Sequence, residues 1–286
     1  MTIDRLINIL VTIMLIEMMV AIGLGVTVAE LMGVARNWRL VTQALLANYL
    51  LFPIVTAGLL AVFRPADPTV PAGFLILAVC PGAPFGPPCT RIAGGNVAVA
   101  VGLMVILAAS SAIAAPVLLH FLLPLVTGSG SLQVNAAKVV STLLITQLVP
   151  LCLGLGLRHW WPILAERLNK PANLTSSVLS LLTVGLILCA QFRLFTEIRL
   201  RGYVGMLVLL FASFAAGWLL GGPGTANRKA MTLTTSLRNV GVGLVIATSN
   251  FATTAAVTAV LAYGLLAIFG SVLLAWAWGR SRPQAN

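Results

Sequence analysis

Acidic side chains are scarce in this chain: six Asp and Glu stand against seventeen Lys and Arg among 286 residues, and only 8% of residues are charged. Histidine is scarcer still, with two. No intramembrane Asp pair, no His/Glu cluster and no Ser/His pair at useful spacing is present, which excludes an intramembrane enzyme and a resident metal. No cofactor is expected. The four cysteines, Cys80, Cys89, Cys152 and Cys189, fall inside apolar segments without paired ligand spacing and read as packing residues. A basic run or arm is also lacking. The net charge of +11 is spread through short loops, so it reports membrane topology and argues against a nucleic-acid partner.

What remains is apolar: 59% of the residues are hydrophobic and the mean hydropathy is +1.05. Uninterrupted runs longer than roughly 18 residues indicate membrane helices and not the alternating pattern of a barrel. The lipid bilayer is therefore the first partner. Residues 6–30 are too long, and carry Glu17 behind a lone Arg5, to be a signal peptide. No soluble domain, long linker or low-complexity tract is expected.

Breaks at charged and Pro/Gly-rich points predict nine spans, at about 6–31, 40–62, 71–93, 96–123, 133–157, 173–194, 202–220, 226–250 and 253–278. An odd number puts the termini on opposite sides. Ten loop Lys and Arg fall on the side of the C-terminus and six on the other. The positive-inside rule then places the C-terminus in the cytoplasm and the N-terminus outside an inner or plasma membrane.

The third and eighth spans are interrupted by residues that membrane helices avoid. The first interruption reads Cys80-Pro81-Gly82-Ala83-Pro84-Phe85-Gly86-Pro87-Pro88, the second Thr234-Thr235-Ser236-Leu237-Arg238-Asn239-Val240-Gly241. Proline gives no N–H and glycine holds a helix weakly, so the freed backbone groups must face protein or a cavity. An offset of five spans makes the two segments cross in opposite directions. That pattern predicts an inverted repeat, four spans in residues 1–125 and five in 132–280, within a single transporter domain.

The residues around these breaks resemble the bile acid:sodium symporter family. Cys80-Pro81-Gly82, Ala93-Gly94-Gly95-Asn96-Val97 and Arg238-Asn239-Val240-Gly241 carry the resemblance, with Met19 to Gly25 of the first span and Asn48 five positions before Pro53. It implies an all-α polytopic fold with a panel and a core, in which two broken helices cross beside the substrate cavity. It also implies the nine-helix form, which lacks the first helix of ten-helix members.

Departures from the family pattern are informative. Sodium-using members carry Glu-x-x-x-Gln-Asn on the second broken helix, and these positions fall on Thr234 and Arg238-Asn239. The Ser-Asn pair of the first falls on Gly86 and Pro87, and the hydroxyls of the next helix on Ala100 and Met104. Arg238 is thus expected to stand in place of sodium as a built-in positive charge. The other reading of Arg238 is a loop arginine that snorkels to the surface.

The candidate site comprises Arg238, Asn239, Thr234, Thr235 and Ser236 from the second break, Pro84, Phe85 and Gly86 from the first, and Asn48, which falls where the resembled family has a polar sodium-site residue and is expected to bond Arg238 or substrate, with helix–helix bonding as the alternative. The start of the half-helix after Phe85 is expected to offer N–H groups to an anion, less those that Pro87 and Pro88 lack. Glu17, the acidic residue well inside a span, is a candidate for proton coupling or gating, against an interfacial alternative. Arg91 reads as a cytoplasmic anchor, His120, Gln147 and Gln191 as packing or interfacial residues, and Gly23 and Gly25 as sites of close helix approach.

These readings combine into a secondary transporter that moves a small or amphipathic organic anion, a carboxylate or sulfonate, by alternating access and without sodium. A sodium- or proton-coupled symporter is the alternative, and a sensor or channel on the same scaffold a third. The oligomeric state is left open, a monomer being one option.

Overall fold

The computed structural model describes residues 3–127, 135–196, 198–251 and 254–281, and every regular element among them is helical. Among the described residues six helices are long and apolar enough to cross a membrane, and a bent pair at the start of the chain makes a seventh. The chain is a polytopic membrane protein.

That pair is α1 (Ile3–Gly25) and α2 (Val28–Arg36), which meet at 84° where a single continuous span over 6–31 was predicted. The cause is local. Thr27 adopts an extended backbone, its hydroxyl accepts from the Glu30 N–H at 3.2 Å, and the Glu30 carboxylate accepts from the Thr27 N–H at 2.8 Å. This capping box starts a new helix in a new direction.

The next span joins α3 (Trp38–Leu45) to α4 (Phe52–Phe63) through a π-helical turn at Leu46–Leu51. A second one joins α8 (Ala136–Leu143) to α9 (Val149–Trp160) through Leu144–Leu148. Pro53 and Pro150 follow these turns at the starts of α4 and α9. A proline ring crowds the carbonyl four residues back, and widening the helix there relieves the clash. Phe52 and Val149 accordingly donate five residues back, to Ala47 and Leu144.

Between these spans lie α5 (Thr69–Ala78), α6 (Gly86–Ala93) and the long α7 (Val97–Thr127). The rest of the chain forms α10 (Pro162–Thr196), α11 (Leu200–Leu219), α12 (Thr225–Ser236), α13 (Val240–Asn250) and α14 (Ala255–Arg280). With ten residues, α5 is about half a bilayer crossing, so the third predicted span is divided in two. The loop expected between 157 and 173 is absent: Trp161 alone separates α9 from α10. Glu166, Arg167 and Lys170 are good helix formers, and Pro162 suits a first turn, so the helix begins before the apolar stretch.

α1 packs on α9 and α10, while α14 packs on α5 and α6 and α12 on α11, α6 and α7. α1 also meets α13, and α10 meets α14, so the two groups face each other across the second break. α1 and α9 touch at Gly23 and Gly154. A Cβ on Gly23 would lie 2.6 Å from the Leu151 carbonyl oxygen and 2.7 Å from the Leu155 nitrogen. Gly25 has no such constraint, its nearest neighbour being the Asn169 side chain at 3.4 Å. Gly23→Val therefore forces α1 from α9 at a cost of about 3 kcal/mol, read as a lower melting temperature in detergent, while Gly25→Ala melts near the wild-type temperature.

Candidate functional site

The first break, residues 79–85, follows from Pro81 and Pro84, which cannot donate, and from Gly82, which takes a φ of 84°. The second, residues 237–239, is shorter. Leu237 is extended after α12, and the Val240 N–H turns back to the Arg238 carbonyl at 2.9 Å. The two breaks meet directly, because the Asn239 N–H donates to the Cys80 carbonyl at 2.9 Å. One backbone group of each interruption is thus satisfied by the other.

Arg238 sits at this crossing and is 1% exposed. Its Nη1 donates to Asn48 Oδ1 at 2.6 Å, its Nη2 lies 3.5 Å from the Asn48 carbonyl oxygen, and the guanidinium lies 3.8 Å from the Phe52 ring centroid. No carboxylate among the described residues pairs with it, and Nε has no partner. A loop arginine snorkelling to the surface is thereby ruled out.

Asn48 is positioned by the π-helical turn. Its amide nitrogen donates to the Ala44 carbonyl at 2.9 Å and to Thr235 Oγ1 at 3.4 Å, which leaves Oδ1 turned to Arg238. One turn on, Phe52 supplies the ring face, and Phe52 in turn packs on Tyr263 of α14, with ring centroids 6.3 Å apart. An amide carbonyl and an aromatic face hold a cation without neutralising it.

Beside the crossing lies a cavity of about 50 Å³, between α1 and α10 on one side and the breaks, α13 and α14 on the other. Arg238, Asn239, Pro84 and Phe85 line it, so the structure brings together residues from both predicted interruptions. Four of the lining residues carry a buried polar atom with no hydrogen-bond partner: Arg238 Nε, Asn239 Nδ2, Ser180 Oγ and Thr183 Oγ1. The Asn239 oxygen is spent on the Val242 N–H at 3.2 Å, as the cap of α13, so its amide offers a donor alone. Hydrogen-bond donors, with no acid among them, suit an anion.

The other predicted residues stand behind this wall. Thr235 accepts from Asn48, Ser236 Oγ is 2.9 Å from Ser271 Oγ on α14, and Thr234 is buried with its hydroxyl unpaired, close to Gly86. Glu17 does not line the cavity. It accepts a hydrogen bond from Ser176 of α10, on the face between α1 and α10. The start of α6 is a correction to the expected anion site: Gly86 donates to Ala83, Cys89 to Phe85, and Pro87 and Pro88 have nothing to give. Gln147, read as packing or interfacial, bonds the Ala108 carbonyl and Ser111 Oγ at 3.0 Å, tying the second π-helical turn to α7. Gln191 lies outside the residues whose side chains are described.

Sequence reasoning missed Ser180 and Thr183. With Ser176 they recur at i, i+4 and i+7, one polar line along a helix face. That signal was legible in the sequence, but nothing local says which face of α10 meets the breaks.

The profile of the Sodium Bile acid symporter family matches residues 12–198, which include the first break but not the second. Among curated proteins the chain is similar to "Probable sodium/metabolite cotransporter BASS2, chloroplastic" of Oryza sativa subsp. japonica, at 26% identity over 93% of this chain and 63% of that protein. It is also similar to "Probable sodium/metabolite cotransporter BASS1, chloroplastic" of Arabidopsis thaliana, at 26% identity over 93% of this chain and 66% of that protein. The chain thus spans just under two thirds of the length of both relatives.

Proposed function

Because the chain belongs to the Sodium Bile acid symporter family, we propose that it is a secondary transporter of a small or amphipathic organic anion, with Arg238 as a resident cation in place of sodium. The observation that carries this reading is a buried guanidinium at the crossing of two helix breaks, without a carboxylate partner among the described residues and lining a cavity with other unpaired donors. A buried charge left unpaired is costly, and a substrate carboxylate or sulfonate relieves that cost by pairing with it.

Both relatives are named as probable sodium/metabolite cotransporters. This chain has Thr234 and Arg238 where the family pattern has a carboxylate and an amide. A sodium ion about 4 Å from the guanidinium would be repelled by roughly 4 kcal/mol at an effective dielectric near 20. A reading that retains sodium requires Arg238 to point away from the site, and its position on the cavity wall argues against that. Proton coupling through Glu17 finds less support, since Glu17 stands off the cavity. The full proposal is nine crossings in two inverted repeats, C-terminus in the cytoplasm of a cell membrane, with one group of helices rocking against the other.

The test is uptake of labelled organic anions into proteoliposomes with and without a sodium gradient. Wild-type uptake is expected to ignore sodium, and Arg238→Ala to lower it roughly 100-fold, the worth of a desolvated charge-assisted contact. Sodium-driven uptake that survives in Arg238→Ala would overturn the reading.

A further inference from the structure

We infer that Ser180 and Thr183 of α10 are specificity residues, which bind a second oxygen of the transported anion across the cavity from Arg238. The inference rests on the anion-carrier reading and adds a substrate class to it: carboxylates that bear a hydroxyl or carbonyl group, in preference to plain alkyl acids.

Hydroxyls inside membrane helices ordinarily bond the carbonyl one turn back. Many among the described residues do: Thr56 donates to Phe52, Thr90 to Gly86, Ser177 to Asn173 and Thr248 to Leu244, at 2.7 to 2.8 Å. Ser180 and Thr183 do not, although they are only 6% and 1% exposed. Neither has a partner on another helix, so the role of helix–helix glue is also closed to them. Both line the same cavity as Arg238 and Asn239, and they enter it from the opposite group of helices.

The space between is small. About 50 Å³ holds roughly three to five water-sized centres, which suits a short acid and excludes a sterol-sized one in this conformation. The remaining wall is apolar, including Met14, Met18, Leu244 and Leu265. A plain alkyl chain would satisfy that wall but would leave the two hydroxyls unpaired. An oxygen on the chain satisfies both, and it links α10 to the crossing when the ligand is bound. Selection by buried groups that only the right substrate pairs is the strong form of discrimination.

The test compares labelled short alkyl carboxylates with their hydroxylated counterparts, butyrate with 3-hydroxybutyrate for example, in uptake and in ligand-induced thermal shift. Wild type and the near-isosteric double variant Ser180→Ala with Thr183→Val are used, full length. The wild type is expected to prefer the hydroxylated acid about tenfold and the double variant to lose that preference, while Thr183→Ser keeps it. Unliganded melting temperature is expected not to fall, because the removed hydroxyls bond nothing. No preference in wild type, or a preference that survives the double variant, overturns the inference and leaves the anion carrier standing. A lower melting temperature with an unchanged preference assigns the hydroxyls to packing and also overturns it. Failure of the wild type to take up or bind any acid of either kind overturns the carrier reading and the inference with it.

Discussion

Asn48→Asp should yield a protein that melts no lower than the wild type and carries almost no anion. The Asn48 side-chain oxygen is 2.6 Å from Arg238 Nη1, so an aspartate there meets the guanidinium without moving the backbone; its second oxygen gives up the amide's bond to the Ala44 carbonyl, which only accepts, and takes one from the Thr235 hydroxyl instead. The new carboxylate completes a buried ion pair that the native site leaves open, which offsets its own desolvation. The same pairing cancels the field that an incoming anion would feel. Uptake is expected to fall at least as far as in Arg238→Ala, roughly 100-fold, but with the fold intact. Asn48→Ala separates the two effects: it strips Arg238 of its amide partner and costs about 2 kcal/mol of stability, while the positive charge stays in place. Melting in detergent beside uptake in proteoliposomes decides the matter. Wild-type uptake by the aspartate variant would mean that the charge of Arg238 is not what the anion binds.

Gly82→Val should abolish the folded transporter. Gly82 occupies the left-handed region at φ 84°, and a Cβ there would lie 2.8 Å from the Ala108 nitrogen and 2.9 Å from the Met104 carbonyl oxygen, both backbone atoms of α7. A β-branched residue adds conformational strain to a clash that only a shift of α7 or of the break can relieve. Together these cost about 4 kcal/mol, a large part of the stability of most domains. The displaced break would also lose the bond from Asn239 to Cys80, so uptake falls with stability. Gly86→Ala, four residues on, is the control. Its Cβ would meet Thr234 Oγ1 at 3.8 Å, an ordinary contact, and it is expected to change the melting temperature little. Equal behaviour of the two variants, in expression level and in melting, would sink the claim that the crossing depends on a left-handed glycine.

Much of this molecule was determined by sequence alone. Long apolar runs have one solution in lipid, and Pro81, Gly82 and Pro84 break a helix wherever they occur, because the missing N–H and the strained φ are properties of the residue itself. The bend at Thr27 was equally local, written in Thr27 and Glu30 as a capping box, although a continuous apolar run concealed it. The loop predicted between 157 and 173 failed for the opposite reason: charge shows where a chain leaves the hydrocarbon, not where its helix ends.

The site was decided by tertiary structure. Asn48 and Arg238 lie 190 positions apart, and nothing near either one states that they meet. Only the fold sets Glu17 against Ser176 instead of the cavity and places Ser180 and Thr183 on the same cavity as Arg238, whereas the start of α6 is closed locally, by bonds to Ala83 and Phe85 and by Pro87 and Pro88. Backbone rules act over a few residues, so the breaks were legible. A binding site depends on which helix faces come together, and packing of the whole chain sets that.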